Sequence, residues 1–214
     1  MSDNQQANNL HTITLGMGCY WSPEALFGAM PGVIKTRVGF AGGTSHEPTY
    51  RNMGDHTETV ELIVDPALVS YDTLLETFWN NHNPYNINGY KDRQYQSLLL
   101  YHDEEQEEAF RRIKSRMERD KGSLDTELAP FQTFYPAETR HQKYYLKRFP
   151  DAVAKLSTLY TSDEELENST LAARLNGVAK GFLSLERLQH EIDQWPISTN
   201  EKVQIISLIR QIRW

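Results

Sequence analysis

The chain has 214 residues, enough for one ordinary domain with a modest extension. It carries 22 basic against 29 acidic residues, a net charge of −7, so the basic footprint that phosphate backbones attract is absent and no nucleic acid partner is expected. Hydrophobic residues at 39% and aromatics at 11% supply a core, which excludes a disordered chain, and no run approaches the roughly 20 apolar residues of a membrane helix.

Residues 1–8 are polar and lack the basic and apolar parts of a signal peptide, so they read as a flexible tail on a cytoplasmic protein. Three segments with strand character follow: Leu10 to Leu15, Val33 to Phe40, and Thr57 to Val64. A short apolar run, Tyr95 to Tyr101, makes a fourth. Between the first two, SPEALFGAM predicts a helix with Ser22 as cap and Pro23 at the first helical position. Between the third and fourth, SYDTLLETFWNNH predicts another, capped by Ser70, with Leu74, Leu75, Phe78 and Trp79 as its apolar stripe. This order predicts an α+β fold: a two-layer sandwich on a split βαβ (ferredoxin-like) core, with helices on one face of the sheet. A solvated helix from Asp103 to Lys121 comes next, acidic first and basic last as the helix dipole favours, and closed by Gly122.

Residues 161–214 read differently. Ser162 to Glu165 and Ser198 to Glu201 fit the capping box. Leu171, Leu175, Val178, Phe182, Leu185, Leu188 and Ile192 recur at helical spacing, and Ile205, Leu208, Ile209 and Ile212 do so again. Two amphipathic helices are predicted, forming a C-terminal extension packed on a main domain at 9–160; binding of a partner through the same stripes is the alternative.

One cysteine, Cys19, excludes an internal disulfide, a dithiol motif and a multi-cysteine zinc site. His56, His82, His102 and His141 show no metal-ligand spacing, and no metal is expected. Cys19 lies in GMGCYWSPEALF, where a strand passes into a helix. Gly16 and Gly18 permit a tight turn and close approach of another molecule's backbone. A helix N-terminus beside the sulfur predicts a lowered thiol pKa, and Tyr20 and Trp21 offer an apolar wall. A buried structural cysteine is the other reading. In TETVELIV, Glu58 shares a face with Val60, Leu62 and Val64. A carboxyl on an apolar strand face is desolvated, stays protonated near neutrality and can serve as a general acid; a wet strand end is the alternative. Tyr85, Tyr90 and Tyr95 sit among turn-forming residues of the kind that line pockets, where a phenol can donate to a developing oxyanion.

With these residues placed, the chain resembles the A-type peptide methionine sulfoxide reductases from about Leu10 to Arg148. GCYW is similar to the family's GCFW, VGFAGGTSHEPTY to its GYAGG and PTY loop, and GDHTETVELIVDP to its GHTE strand; FWNNHNP, RQYQS and FYPAETRHQKYY follow in the family's order. The resemblance makes residues 9–160 the catalytic domain. It implies that Cys19 attacks the sulfoxide sulfur, that Glu58 protonates the oxygen, that Tyr95 holds that oxygen, and that Tyr20 and Trp21 receive the methyl group. Methionine and a sulfenic acid on Cys19 are the implied products, with the S epimer as substrate.

Three departures bear on binding. Phe40 stands where the family has tyrosine, Tyr90 stands where it has a substrate-binding Asp, with Asp92 nearby, and Tyr20 replaces Phe. With one cysteine and no bound cofactor, the resemblance implies recycling by an external thiol: thioredoxin, glutaredoxin with glutathione, or dithiothreitol. Nothing in the sequence asks for more than a monomer. Two rival functions remain at this stage. One is an acyl-transferring cysteine enzyme using His56 or His141 as base. The other is a sulfoxide-binding sensor without turnover.

Overall fold

The structure, a computed structural model, describes residues 10–85 and 93–214. Six strands form one mixed sheet: β1 (His11–Met17), β2 (Val33–Ala41), β3 (Thr57–Val64), β4 (Ser97–Tyr101), β5 (Glu127–Pro130) and β6 (Phe134–Pro136), in the order β5-β4-β1-β3-β2-β6. β1 is antiparallel to both β3 and β4, and β3 is antiparallel to β2. β1 and β2 therefore run the same way with β3 inserted between them. β5 adds in parallel beside β4 and β6 antiparallel beside β2, two strands absent from the sequence reading.

Helix α1 (Trp21–Gly28) joins β1 to β2, and α2 (Tyr71–Asn80) precedes β4. α1 starts with Tyr20 as N-cap and no side-chain cap, so Ser22 lies within the first turn rather than capping it. Ser70 does cap α2 by accepting from the Thr73 N–H, and Asp103 caps α3 (Glu104–Lys121) through the Gln106 N–H. The main core gathers Ile13, Leu15, Val38, Val60, Leu62, Phe78 and Trp79 with the aromatic side chains of α1. β3 is buried on both faces: Thr57, Thr59 and Glu61 are hidden along with Glu58, Val60 and Leu62.

The C-terminal part holds a further five helices: α4 (Pro150–Leu156), α5 (Asp163–Glu167), α6 (Thr170–Lys180), α7 (Leu185–Ile192) and α8 (Thr199–Arg210). The long stripe read as one helix is broken at Gly181, whose φ of 89° is a left-handed backbone that an L side chain resists. There the Phe182 N–H returns to the Gly177 carbonyl, and Ser184 starts α7 by accepting from Arg187 N–H. The Ser198 box closes in both directions at the head of α8, whereas Glu165 turns its carboxylate to Thr161 instead of Ser162. The hydrophobic cluster of this part begins before residue 161, since Leu146, Ala152 and Leu156 pack with Leu171, Leu175, Leu188 and Ile209.

Candidate active site

β1 ends at Met17, and Gly18, with φ of 89°, turns the chain so that Cys19 stands just ahead of α1 with its side chain exposed. Gly16 serves closeness rather than turning. A Cβ there would lie 3.0 Å from the Gln96 carbonyl and 3.2 Å from that of Glu58, so the backbone it admits belongs to this chain and not to another molecule.

Glu58, only 1% exposed, lies on β3 directly opposite Phe40 on β2. The Tyr20 N–H donates to its Oε2 at 3.1 Å, and the Gln94 amide to its Oε1 at 3.0 Å. The Cys19 sulfur, one residue before the Tyr20 N–H that Glu58 accepts, lies close enough to the same carboxyl for each to shift the other's proton affinity. Burial pushes the Glu58 pKa up, and the donors from Gln94, Tyr20 and Cys19 offset part of that rise.

The thiol departs from the sequence expectation. Burial raises the Cys19 pKa, the Trp21 N–H lowers it, and the neighbouring Glu58 carboxylate raises it again. The net direction is upward: one helix-end N–H is outweighed by partial desolvation beside a carboxylate.

Aromatic rings surround the pair. Tyr20 is 1% exposed, with its ring 6.1 Å from that of Phe40 and 5.8 Å from His141. Trp21 stacks on Tyr144 at 3.9 Å with planes 5° apart, and His141 stands 5.9 Å from it and 4.6 Å from Tyr50. Among the described residues, Tyr20 Oη, Trp21 Nε1 and both His141 nitrogens are buried without a hydrogen-bond partner. Orphaned polar atoms in one place suit a site that completes its hydrogen bonds with a ligand. Tyr95, half-buried, ends the 3-10 turn Arg93–Tyr95 that also carries Gln94. Tyr90 and Asp92 lie outside the described residues.

Tyr50, Gln94 and Tyr144 were given no role from the sequence, although all three lie in the quoted VGFAGGTSHEPTY, RQYQS and FYPAETRHQKYY blocks. The His141 segment is held by buried polar groups. Gln142 pairs with both backbone groups of Val38, and Lys143, at φ 51°, sends its ammonium to Glu24 at 2.7 Å and to the Thr36 carbonyl at 2.7 Å. His56 is no base for the sulfur, because Gly43 N–H and the Ser45 carbonyl occupy its two nitrogens. Burial holds the His141 pKa down.

These features define a class: an α+β enzyme with an accessible cysteine beside a buried carboxyl. The chain belongs to the peptide methionine sulfoxide reductase family, whose model matches residues 11–172. It is 42% identical over 193 residues to a peptide methionine sulfoxide reductase of Drosophila melanogaster, covering 89% of this chain and 77% of that one. It is also 42% identical over 151 residues to a reductase, MsrA, of Methanococcus maripaludis, covering 65% of this chain and 94% of that one. Among solved structures, methionine sulfoxide reductase A of Corynebacterium diphtheriae aligns with a TM-score of 0.57 at 32% identity, over 67% of this chain and 77% of that one.

Proposed function

We propose that this chain reduces methionine S-sulfoxide in oxidised proteins and peptides through a sulfenic acid on Cys19. The observation that carries the reading is an accessible sulfur beside a buried carboxyl that, among the described residues, has no cation beside it. Family membership makes methionine sulfoxide reduction, and with it repair of oxidised protein, the activity of the chain.

The pair holds protons in a way that suits the reaction. Carboxyls ordinarily ionise before thiols, so with one proton on the pair the thiol holds it and the carboxyl is ionised. Passing that proton from sulfur to carboxyl gives the reactive form, a bare sulfur facing a protonated carboxyl, at no change in net charge. The thiolate attacks the sulfoxide sulfur to form a transient S–S bond and Glu58 passes its proton to the oxygen; the hydroxyl then shifts to the Cys19 sulfur as the substrate S–O bond and the transient S–S bond both break, leaving the electron pair on the methionine sulfur. Two electrons leave Cys19, which becomes a sulfenic acid, and reduce the sulfoxide to the thioether. Phe40, Tyr20 and Trp21 form the apolar surround for the methyl group, and Tyr95 steadies the oxygen. Tyr90 and Asp92 complete the binding loop in this reading. An external thiol then condenses with the sulfenic acid, releasing water, and a second thiol frees Cys19. Thioredoxin fills that role here, with glutaredoxin and glutathione or dithiothreitol as substitutes.

The core is a split βαβ, ferredoxin-like sheet, supported by the central order β4-β1-β3-β2. Residues 1–8 are a tail, 9–160 the catalytic domain and 161–214 a helical extension. The protein acts as a cytoplasmic monomer. No described helix is long and apolar enough to cross a membrane.

Cys19→Ser tests the reading, assayed on free and peptide-bound methionine S-sulfoxide with dithiothreitol. Activity at background is the expected result; turnover at the parent rate would refute it. One free thiol per chain should disappear after a single turnover and return on adding dithiothreitol.

A further inference from the structure

We propose that Gln94 is a positioning residue for this reaction: its side-chain amide fixes the Glu58 carboxyl so that the proton it carries is aimed at Cys19 and the substrate oxygen. The inference rests on reading Glu58 as the acid.

A carboxyl buried to 1% exposure must have its oxygens satisfied. Tyr20 N–H takes one lone-pair direction on Oε2 and Gln94 takes one on Oε1, which leaves the remaining directions for the proton and for Cys19. An ionised carboxyl only accepts, so Gln94 must turn its NH₂ toward it rather than its carbonyl. A neutral donor orients the group without the strong bias toward ionisation that Lys or Arg would impose. The groups that face Glu58 agree with this: Cys19 from the β1 to α1 turn, Tyr20 N–H from the head of α1, Phe40 from β2 and Gln94 from the 3-10 turn. Among the described residues the titratable groups beside Glu58 are Cys19 and the Tyr20 phenol, whose pKa burial and the Glu58 charge push far up; Glu61, on the other face of β3, is engaged with Arg37.

Gln94 can hold the carboxyl because its own backbone is held. Arg93 donates to the carbonyls of Asp55 at 3.1 Å and Gly42 at 3.2 Å, and pairs with Glu127 at 2.8 Å. The Thr57 hydroxyl donates to the Arg93 carbonyl at 2.7 Å. The residue before Glu58 in β3 is thus tied to the residue before Gln94. The two side chains share one anchored frame.

The test is the pH dependence of kcat/KM for a methionine S-sulfoxide peptide, whose acidic limb reports the first proton lost from the pair. Removing a donor to the ionised carboxyl raises its pKa, so Gln94→Leu should move that limb up by about one pH unit. Gln94→Glu keeps the shape and puts a second carboxyl beside the first, so its limb should move up at least as far. A loss of stability by itself would lower the amount of folded enzyme without moving the limb. Limbs that superimpose on the parent in both variants overturn the inference. Glu58→Gln separates this from failure of the underlying reading: if its acidic limb stays at the parent position, Glu58 is not the group that titrates, and the assignment of the acid falls first.

Discussion

The two ends of α1 meet opposite demands. Its N-terminal end presents a raised thiol, a buried carboxyl with neutral donors, and the unpartnered polar atoms of Tyr20, Trp21 and His141. At its C-terminal end, buried charge is matched. Arg174 of α6, 1% exposed, donates to the carbonyls of Gly28 and Val33 at 2.7 and 2.8 Å and pairs with Glu191 of α7 at 2.8 Å. Thr170 adds a bond to the Ile34 carbonyl, and Asn176 accepts from Leu146 N–H, its NH₂ being the orphan on this side among the described residues. Two carboxyls make the contrast concrete. Glu24 and Glu58 are equally hidden, yet Glu24 holds the Lys143 ammonium while Glu58 holds an amide and a backbone N–H. A buried charge with a full partner set stabilises a docking; one without a cation keeps a proton within reach of the neighbouring sulfur.

The largest expected effect is at the reactive end. Glu58→Gln fills the same space but cannot protonate the oxygen, so the rate of sulfenic acid formation in single turnovers should fall about 10²- to 10⁴-fold, with melting temperature near the parent's. The parent's profile should be a bell displaced upward at both limbs, because both pKa values are raised: activity appears as Glu58 loses its first proton above the usual carboxylate range, and is lost above the usual thiol value when the last proton goes. An unchanged rate in Glu58→Gln would erase the contrast between the two ends.

Arg174→Met should produce the reverse pattern. Leaving Glu191 and two carbonyls without their donor costs about 3–5 kcal/mol in urea unfolding, while the turnover of each folded molecule stays within about twofold. A catalytic defect without a stability loss would break the comparison. Gly177→Ala sharpens it through a change of sign. At an open helix position this substitution stabilises by about 1 kcal/mol, but here the new Cβ would sit 2.7 Å from Ala29 Cβ and 3.0 Å from the Ala25 carbonyl, so a loss of about 1–2 kcal/mol is expected. Farthest from α1, Ser198→Ala should cost about 1 kcal/mol by removing the α8 cap and leave turnover untouched.

Local signals carried much of this architecture. β3 occupies the residues its composition marks out, and the caps of α2, α3 and α8 are the side chains that short-range chemistry selects. β5 and β6 were not visible beforehand, because strands of four and three residues that end in proline show no alternation and form only where an edge is offered. The break at Gly181 was hidden for a related reason: apolar spacing continues across it, and only the left-handed backbone separates α6 from α7. At the site, Cys19 and Glu58 were legible from residue type and strand pattern. Gln94, Tyr50 and Tyr144 were not, since their roles depend on an anchored 3-10 turn, a loop, and a segment docked by Gln142 and Lys143.

By itself, the order of amino acids determined that a single sulfur would have to carry any thiol chemistry in these 214 residues, and that it would stand where a strand gives way to a helix. It also placed a carboxyl inside an apolar strand. Tertiary structure alone decided that the two would lie side by side, that among the described residues no cation would join them, and that the thiol pKa would rise instead of fall. Helical and strand periodicity are written over a few neighbouring residues. Proton affinity is set by whatever lies within a few ångströms in space, and here those groups come from β1, β2, β3 and a turn nearly forty residues beyond Glu58 in the chain.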